Sequence, residues 1–164
     1  MIPELHRPLA VERIAAAGTD IEIEATPAEC AALAARLRLP ALNTLVCQFH
    51  LRRAGSVIEG QGRLLADVVQ TCVVSLEEFD ARVAERFVVH WVPAGQESDD
   101  MDPETPDEIG YQDDTIDLGE AAAQQLILAL DPYPHAPGAS LPETSSEPGM
   151  SPFASLSARR GSHR

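Results

Sequence analysis

The sequence predicts an α+β fold, in which two helices pack on a strongly curved antiparallel sheet or small open barrel and a disordered C-terminal tail follows. Long segments of alternating apolar and polar residues are typical of strands that bury one face. Two other segments carry helix-start signals beside an apolar pattern. From residue 133 onward Pro, Ser and Gly are frequent and no periodic pattern remains, which is typical of disorder.

The first predicted elements are short. Residues 3–10 and 20–24 predict two strands, the second because its apolar and acidic residues alternate. A helix then begins after Thr26, which is placed to act as its N-cap. Pro27 takes the first helical position and Glu29 the third, which completes a capping box. The helix is expected to end near the next proline, because proline disfavours helical geometry in the residue before it.

Three longer strands follow in sequence order, at residues 43–53, 57–71 and 79–92. A short connection that contains Gly55 joins the first two as a hairpin. Gly60 and Gly62 on the apolar side of the middle strand predict a bend, and such bends curl a sheet toward a barrel. In the third strand Glu85 interrupts the apolar face. A β-bulge at that point or a functional role for Glu85 would explain the exception, and the bulge is the preferred interpretation.

An acidic loop and a second helix complete the predicted domain. Residues 94–112 contain many acids and prolines but few apolar residues, so a mobile loop is expected. Asp117 is predicted to cap the helix that follows, with Glu120 completing a second capping box. Because this helix is apolar on more than one side, we expect it to be buried in the domain or covered by a partner. The predicted organisation is therefore one domain over residues 1–132 and a disordered tail over 133–164.

Charge is distributed unevenly along the chain. The formal net charge of −14 argues against binding to phosphate backbones, which attract Lys and Arg. Eleven acids and no bases lie within residues 94–120, however, and the strand region 43–93 is nearly balanced. A local basic surface on the strands is therefore compatible with the acidic composition.

Arginine and histidine side chains recur on one face of the predicted strands. Side chains two residues apart in a strand point the same way, and pairing in sequence order would bring those of neighbouring strands to the same side. Because arginine forms bidentate contacts with phosphate, this face is a candidate for contact with an RNA backbone. The alternative is an ordinary solvent-facing surface. The candidate RNA-binding residues are Arg52, Arg63, Arg82, Arg86 and His90.

The acidic loop is a second candidate surface. Its carboxylates superficially resemble a calcium loop, but they lack the glycine and the terminal glutamate at the spacing that such a loop requires. The preferred interpretation is a solvated run of charge that attracts a basic protein. The candidate protein-binding residues are Asp99, Asp100, Asp102 and Glu104.

The three cysteines, Cys30, Cys47 and Cys72, are odd in number and too widely spaced for a disulfide framework. Cys30 and Cys47 follow apolar patterns and are expected in the core. Cys72 lies near a turn, where a reactive thiolate would need a neighbouring base or cation and a zinc site would need further ligands. The five histidines are scattered singly, and no phosphate-binding or hydrolase motif is present. No catalytic residue, metal or cofactor is therefore predicted.

Two segments resemble the YceD family, which is named for accumulation of the large ribosomal RNA subunit. They are Gly62–Pro93, centred on a turn that begins at Cys72, and Ile116–Pro132, which reads IDLGEAAAQQLILALDP. Many members have a second cysteine in the turn where this chain has Ser75. The family-motif residues are Cys72, Leu76, Glu77, Phe79, Asp117, Leu118, Gly119, Leu130 and Pro132.

The resemblance implies a cytoplasmic, non-enzymatic factor in ribosome biogenesis that supports accumulation or processing of large-subunit (23S) ribosomal RNA. The implied partners are a large-subunit ribosomal protein, ribosomal RNA or both, with no membrane and no small-molecule substrate. Two alternatives stay open: a thiol- or metal-dependent enzyme centred on Cys72, and an acidic protein-binding adaptor unrelated to ribosomes.

Overall fold

A computed structural model of the chain describes residues 4–99, 102 and 104–137. Two helices and seven strands are found there, together with a 3₁₀ turn at Val11–Arg13. In chain order the elements are β1 (Pro8–Ala10), β2 (Thr19–Glu24), α1 (Pro27–Leu37), β3 (Ala41–Ala54), β4 (Val57–Thr71), β5 (Glu78–Pro93), β6 (Asp107–Tyr111), β7 (Thr115–Asp117) and α2 (Leu118–Ala129). The predicted α+β class is confirmed. The predicted disorder of the tail falls mainly on residues 138–164, which lie outside the described residues.

The main sheet has five strands in the order β2–β3–β4–β5–β6. The first four pair antiparallel, whereas β6 lies parallel to β5. With β2 and β6 at its two edges, the sheet is not closed into a barrel. Strong curvature of the sheet stays a prediction. A second, two-stranded sheet pairs β1 with β7.

The predicted loop over 94–112 was wrong in its last third, where residues Asp107–Tyr111 form β6. This strand lies in register with the end of β5, so that Ile109 is opposite Trp91. Tyr111 is buried, and its hydroxyl donates a hydrogen bond to the carbonyl of Ser56. Two apolar residues among acidic ones are too few to predict a strand from sequence. The strand β6 depends instead on its pairing with β5.

The β-bulge predicted at Glu85 was also wrong. Glu85 pairs with Leu64 within an unbroken antiparallel register between β4 and β5. The irregularity lies instead in β3, between Leu42 and Thr44. Glu85 is exposed although it points to the apolar side of the sheet, because the start of β5 is less covered than its end: Val83 is only half-buried, whereas Trp91 is buried.

Both helices contribute to one hydrophobic core on a single side of the sheet. The capping box at Thr26 and Glu29 is present as predicted, and α1 ends at a left-handed residue, Arg38. The core joins apolar residues of both helices to the inner side chains of β3, β4 and β5, including Cys47, which is fully buried. In the part of the chain that the structure describes, no helix is long and apolar enough to cross a membrane. The opposite side of the sheet carries no helix among the described residues.

Candidate nucleic-acid interface on the open face of the sheet

The side of the sheet without a helix is here called the open face. It carries the side chains of even-numbered residues in β2, in β5 and in β3 from Thr44 onward, and of odd-numbered residues in β4. The strand register arranges them in rows that cross the sheet. One row contains Glu22, Gln48, Arg63 and Arg86, and the next contains Asp20, His50, Gln61 and Val88. Between the two rows lies a shallow depression of about 860 Å³, which crosses the four strands.

Arg63 and Arg86 lie directly opposite each other at the centre of this face. Both side chains are exposed, and neither forms an ion pair or side-chain hydrogen bond within the described residues. Two like charges facing each other across antiparallel strands repel each other. The pair therefore offers two unused guanidinium groups whose repulsion a bound anion would relieve.

The remaining predicted RNA-binding residues lie on the same face, but their surroundings differ. Arg52 and His90 are both opposite Glu59 in one row. Arg82 donates from Nε to Asp67 Oδ1 at 3.0 Å, and this contact lowers the pKa of the Asp67 carboxyl and raises that of Arg82. Arg82 is thus already paired with Asp67, whereas Arg63 and Arg86 at the centre of the face have no ion-pair partner within the described residues.

The edge of the open face at β2 is acidic. That these acids lie on the same face as the arginines was not predicted from the sequence. Asp20 lies 2.6 Å from His50 Nδ1, and Glu22 accepts a hydrogen bond of 2.8 Å from Gln48 Nε2. The alternation of β2 was the available signal, since it places its acids on one side. The face therefore changes from acidic at β2 to basic at β4 and β5.

Cys72 lies in the turn after β4 and is fully buried. Its backbone N–H donates to Glu77, its carbonyl accepts from Leu76, and its sulfur accepts a long hydrogen bond of 3.5 Å from the Ser75 N–H. The backbone N–H of Ala136, then the Ser75 hydroxyl and N–H, lower the pKa of the Cys72 thiol to about 6, although desolvation acts in the opposite direction. Sequence reasoning missed the Ala136 donor because Ala136 is distant from Cys72 in sequence, and it did not consider the nearby Ser75 as a donor.

The burial of Cys72 limits what this thiolate can do. A nucleophile must reach its substrate, and the Cys72 side chain is covered until the turn opens. Among the described residues, no three side chains of His, Cys, Asp or Glu are grouped closely enough to hold a metal ion. Within the turn, the Cys72 sulfur accepts hydrogen bonds from the surrounding N–H groups.

The motif that opens α2 fixes the N-terminal segment of the chain. Asp117 Oδ1 accepts from the backbone N–H groups of Gly119, Glu120 and Arg7. A side chain at Gly119 would overlap the backbone of Leu5, so glycine permits the close approach of the two segments. The predicted second capping box was wrong, because the Glu120 carboxylate forms an ion pair with Arg36 instead.

The other motif residues fall into two groups. Leu118 is buried in the core, and Phe79 and Leu130 are half-buried. The exposed ones are Leu76, Glu77 and Pro132. Leu76 has a left-handed backbone, with φ of 60°. The family motif thus contains some residues that pack in the core and others that are exposed to solvent.

The acidic candidate residues are spread along the chain before β6. Asp99, Asp102 and Glu104 are exposed, whereas Asp100 lies outside the described residues. Asp102 accepts a hydrogen bond from the backbone N–H of Glu104, and Glu108 accepts one from Ser98. The segment is therefore folded against itself at two points and still presents carboxylates to solvent.

Residues 60–155, somewhat more than half of the chain, match a family model described as "Large ribosomal RNA subunit accumulation protein YceD". The matched region begins in β4 and includes β5, β6, β7 and α2. Neither a curated protein nor a solved structure matches.

Proposed function

Because the chain belongs to the YceD family, we propose that it is a non-enzymatic factor that supports accumulation or processing of large-subunit (23S) ribosomal RNA. Its contact with that RNA is made by the open face, through phosphate groups. The residues in contact are Arg63 and Arg86 at the centre, with Arg52 and His90 beside them. The family description names only the process, accumulation of the large ribosomal RNA subunit. Arg63 and Arg86 supply a physical means by which the protein can contact that RNA.

The unpaired arrangement of Arg63 and Arg86 carries this proposal. On the same face, Arg82 is paired with Asp67. Arg63 and Arg86 are instead opposite each other in the strand register, and both line the depression on the open face. A phosphate accepts two hydrogen bonds from one guanidinium group, so the pair can bind one phosphate jointly or two successive ones.

The open face is suited to the RNA backbone rather than to its bases. Proteins that bind unpaired bases stack them on aromatic side chains. In the described strands, none of the open-face positions holds Phe, Tyr or Trp. Phe49, Phe87 and Trp91 pack together on the other side of the sheet. We therefore expect binding that depends on salt and on RNA shape but little on sequence.

A thiol-dependent activity is less well supported by the geometry. Cys72 is buried and accepts hydrogen bonds from the N–H groups around it. The structural use of this thiol and the exposed arginine pair both favour a binding role over a catalytic one. Replacing Cys72 by Ser separates the two possibilities, because a catalytic thiol predicts complete loss of function with the fold intact.

The proposal is tested first in cells depleted of the protein. We expect the ratio of large to small ribosomal subunits to fall in sedimentation profiles, and the wild-type chain to restore it. The variant Arg63→Gln/Arg86→Gln should fail to restore the ratio, whereas Arg13→Gln/Arg53→Gln, which removes the same charge from exposed positions outside the open face, should succeed. A normal subunit ratio after depletion contradicts the proposed function.

A binding measurement tests the site itself. The affinity of the full chain for a 23S ribosomal RNA transcript should decrease steeply with salt, and the Arg63→Gln/Arg86→Gln variant should lower the slope of log K against log salt by about 1 to 2. The control variant should retain the slope. Equal slopes for all three proteins would show that the open face does not contact the RNA.

A further inference from the structure

Exposed large apolar side chains are concentrated in two segments of the chain. Six such residues are found among the described residues, and one of them, Val88, lies on the open face. The other five belong to the Cys72 turn and to the end of α2 with the segment that follows. They are Val73, Leu76, Ile127, Leu128 and Tyr133, with exposed fractions of 47, 76, 41, 69 and 71%.

These two segments are joined in space. The backbone N–H of Val73 donates to the carbonyl of Pro134 at 3.0 Å. A depression of about 350 Å³ lies between the ends of α1, β4 and α2, and Ile127, Leu130 and Pro134 contribute to its lining. The five exposed side chains are therefore at one end of the domain, here called the apolar end.

The turn holds Leu76 in an exposed position by its backbone. Leu76 has φ of 60°, a conformation in which glycine or asparagine is favoured over leucine. The turn is closed by hydrogen bonds between Leu76 N–H and Cys72 carbonyl, 2.9 Å, and between Cys72 N–H and Glu77 carbonyl, 2.8 Å. A leucine that is unfavourable for the backbone and buries little of its side chain contributes nothing evident to folding, which points to contact with another molecule.

Acids outnumber bases beside the apolar end, where Arg38 is the one base that lines the depression within the described residues. Glu77 and Glu78 follow Leu76 and are exposed, and Asp131 is exposed next to Tyr133. None of the three forms an ion pair within the described residues. With three acids against one base, the rim of this apolar centre is acidic in net charge, which is complementary to an apolar segment flanked by Lys or Arg.

We propose that the apolar end is a docking surface for a basic amphipathic segment of a large-subunit ribosomal protein. The chemistry of the segment follows from the apolar side chains and the acidic rim, and its source in a ribosomal protein rests on the function proposed above. The segment places apolar side chains against Leu76, Leu128 and Tyr133, and its bases face Glu77 and Asp131. Protein and RNA then bind at two different surfaces of the same domain.

The test uses the full chain and purified large-subunit ribosomal proteins, freed of RNA and added one at a time, with fluorescence anisotropy as the measurement. We expect at least one of them to bind, and the variant Leu76→Asp/Leu128→Asp to bind it at least tenfold more weakly. Val88→Asp, which changes an exposed apolar side chain on the open face, should leave the affinity unchanged. Leu76→Asn, which suits the left-handed backbone, should weaken binding without loss of thermal stability.

Several results would overturn the docking surface. These are the absence of binding by every protein of the set, equal affinities for wild type and Leu76→Asp/Leu128→Asp, or loss of binding only when Asp99, Asp102 and Glu104 are neutralised. Sedimentation that shows a dimer of the free chain, dissociated by Leu76→Asp/Leu128→Asp, would assign the surface to a second copy instead. The RNA-binding comparison of wild type with Arg63→Gln/Arg86→Gln does not depend on the docking measurement. A failed docking surface can therefore be distinguished from a failed RNA-binding function.

Discussion

Arg7 and Glu29 form a two-bond ion pair in which Nη1 and Nη2 donate to the two carboxylate oxygens at 2.7 and 2.8 Å. The same carboxylate accepts from the backbone N–H of Thr26, so Arg7 orients the capping box of α1. The backbone of Arg7 also bonds to Asp117 and Leu118 at the start of α2. One residue of the N-terminal segment thus connects the beginnings of both helices.

Replacing Arg7 by Ala should therefore lower the free energy of unfolding by about 1 kcal/mol at neutral pH. Arg7, followed by the Thr26 N–H, lowers the pKa of Glu29 from 4.5 to about 2. Since the folded pKa is depressed, this stabilisation is present above pH 4.5 and is lost as the pH falls toward 2. Urea unfolding at pH 7 and pH 2.5 measures both effects, with Arg13→Ala as the control. A difference between Arg7→Ala and wild type that persists unchanged at the lower pH would contradict this account.

Gly119 is expected to tolerate no side chain. A methyl group at this position would approach the carbonyl of Leu5 to 2.5 Å and the N–H of Arg7 to 3.0 Å, and both are backbone atoms that cannot rotate away. Gly119→Ala should cost about 1 to 3 kcal/mol of stability, despite the better helix propensity of alanine. Thermal unfolding measures the loss. At Gly55 a methyl group would meet no other atoms, and only the left-handed backbone would be strained. The loss of stability in Gly55→Ala should therefore be smaller than in Gly119→Ala.

The sequence was sufficient where the pattern is local. Alternation predicted β3, β4 and β5, and the residues at Thr26 and Glu29 predicted the start of α1. It was not sufficient to predict β6. The two apolar residues of this strand, Ile109 and Tyr111, form no clear pattern by themselves, and the strand forms because it pairs with β5. For the site, residue parity predicted the shared face of the arginines. The pairing of Arg82 with Asp67 depends on the register of two strands, which residue types alone do not determine.

The opposed arginines should make the free protein slightly less stable. Arg86→Gln removes the repulsion from Arg63 and should raise the free energy of unfolding by about 0.2 to 0.5 kcal/mol at low salt. The gain should shrink as salt screens the charges. Arg82→Gln is the matched control and should not stabilise, because it removes the partner of Asp67. Chemical denaturation at two salt concentrations distinguishes them, and a loss of stability in Arg86→Gln would mean that the arginine has a structural partner.

Gly62 and Phe87 are matched in size across β4 and β5. The Phe87 ring lies over Gly62, in the space that a side chain there would occupy, and contacts Phe49 edge-on with a centroid distance of 5.7 Å. Gly62→Ala should displace the ring and cost about 1 to 3 kcal/mol. In the double variant Gly62→Ala/Phe87→Leu, the added methyl group should cost less than it does beside phenylalanine. Additive losses in this double-mutant cycle would show that the two residues do not compete for space.

Cys72 should titrate as a single thiolate near pH 6 in the folded protein, because backbone N–H groups stabilise its charged form. Burial raises the pKa of Cys30 and raises that of Cys47 to about 12, so neither contributes in this range. Absorbance at 240 nm should rise around pH 6 in wild type and not in Cys72→Ser. Since the folded pKa lies below the unfolded one, the stability difference between wild type and Cys72→Ser should increase from pH 6 to pH 9. No absorbance step below pH 8 would mean that the turn leaves the thiol protonated.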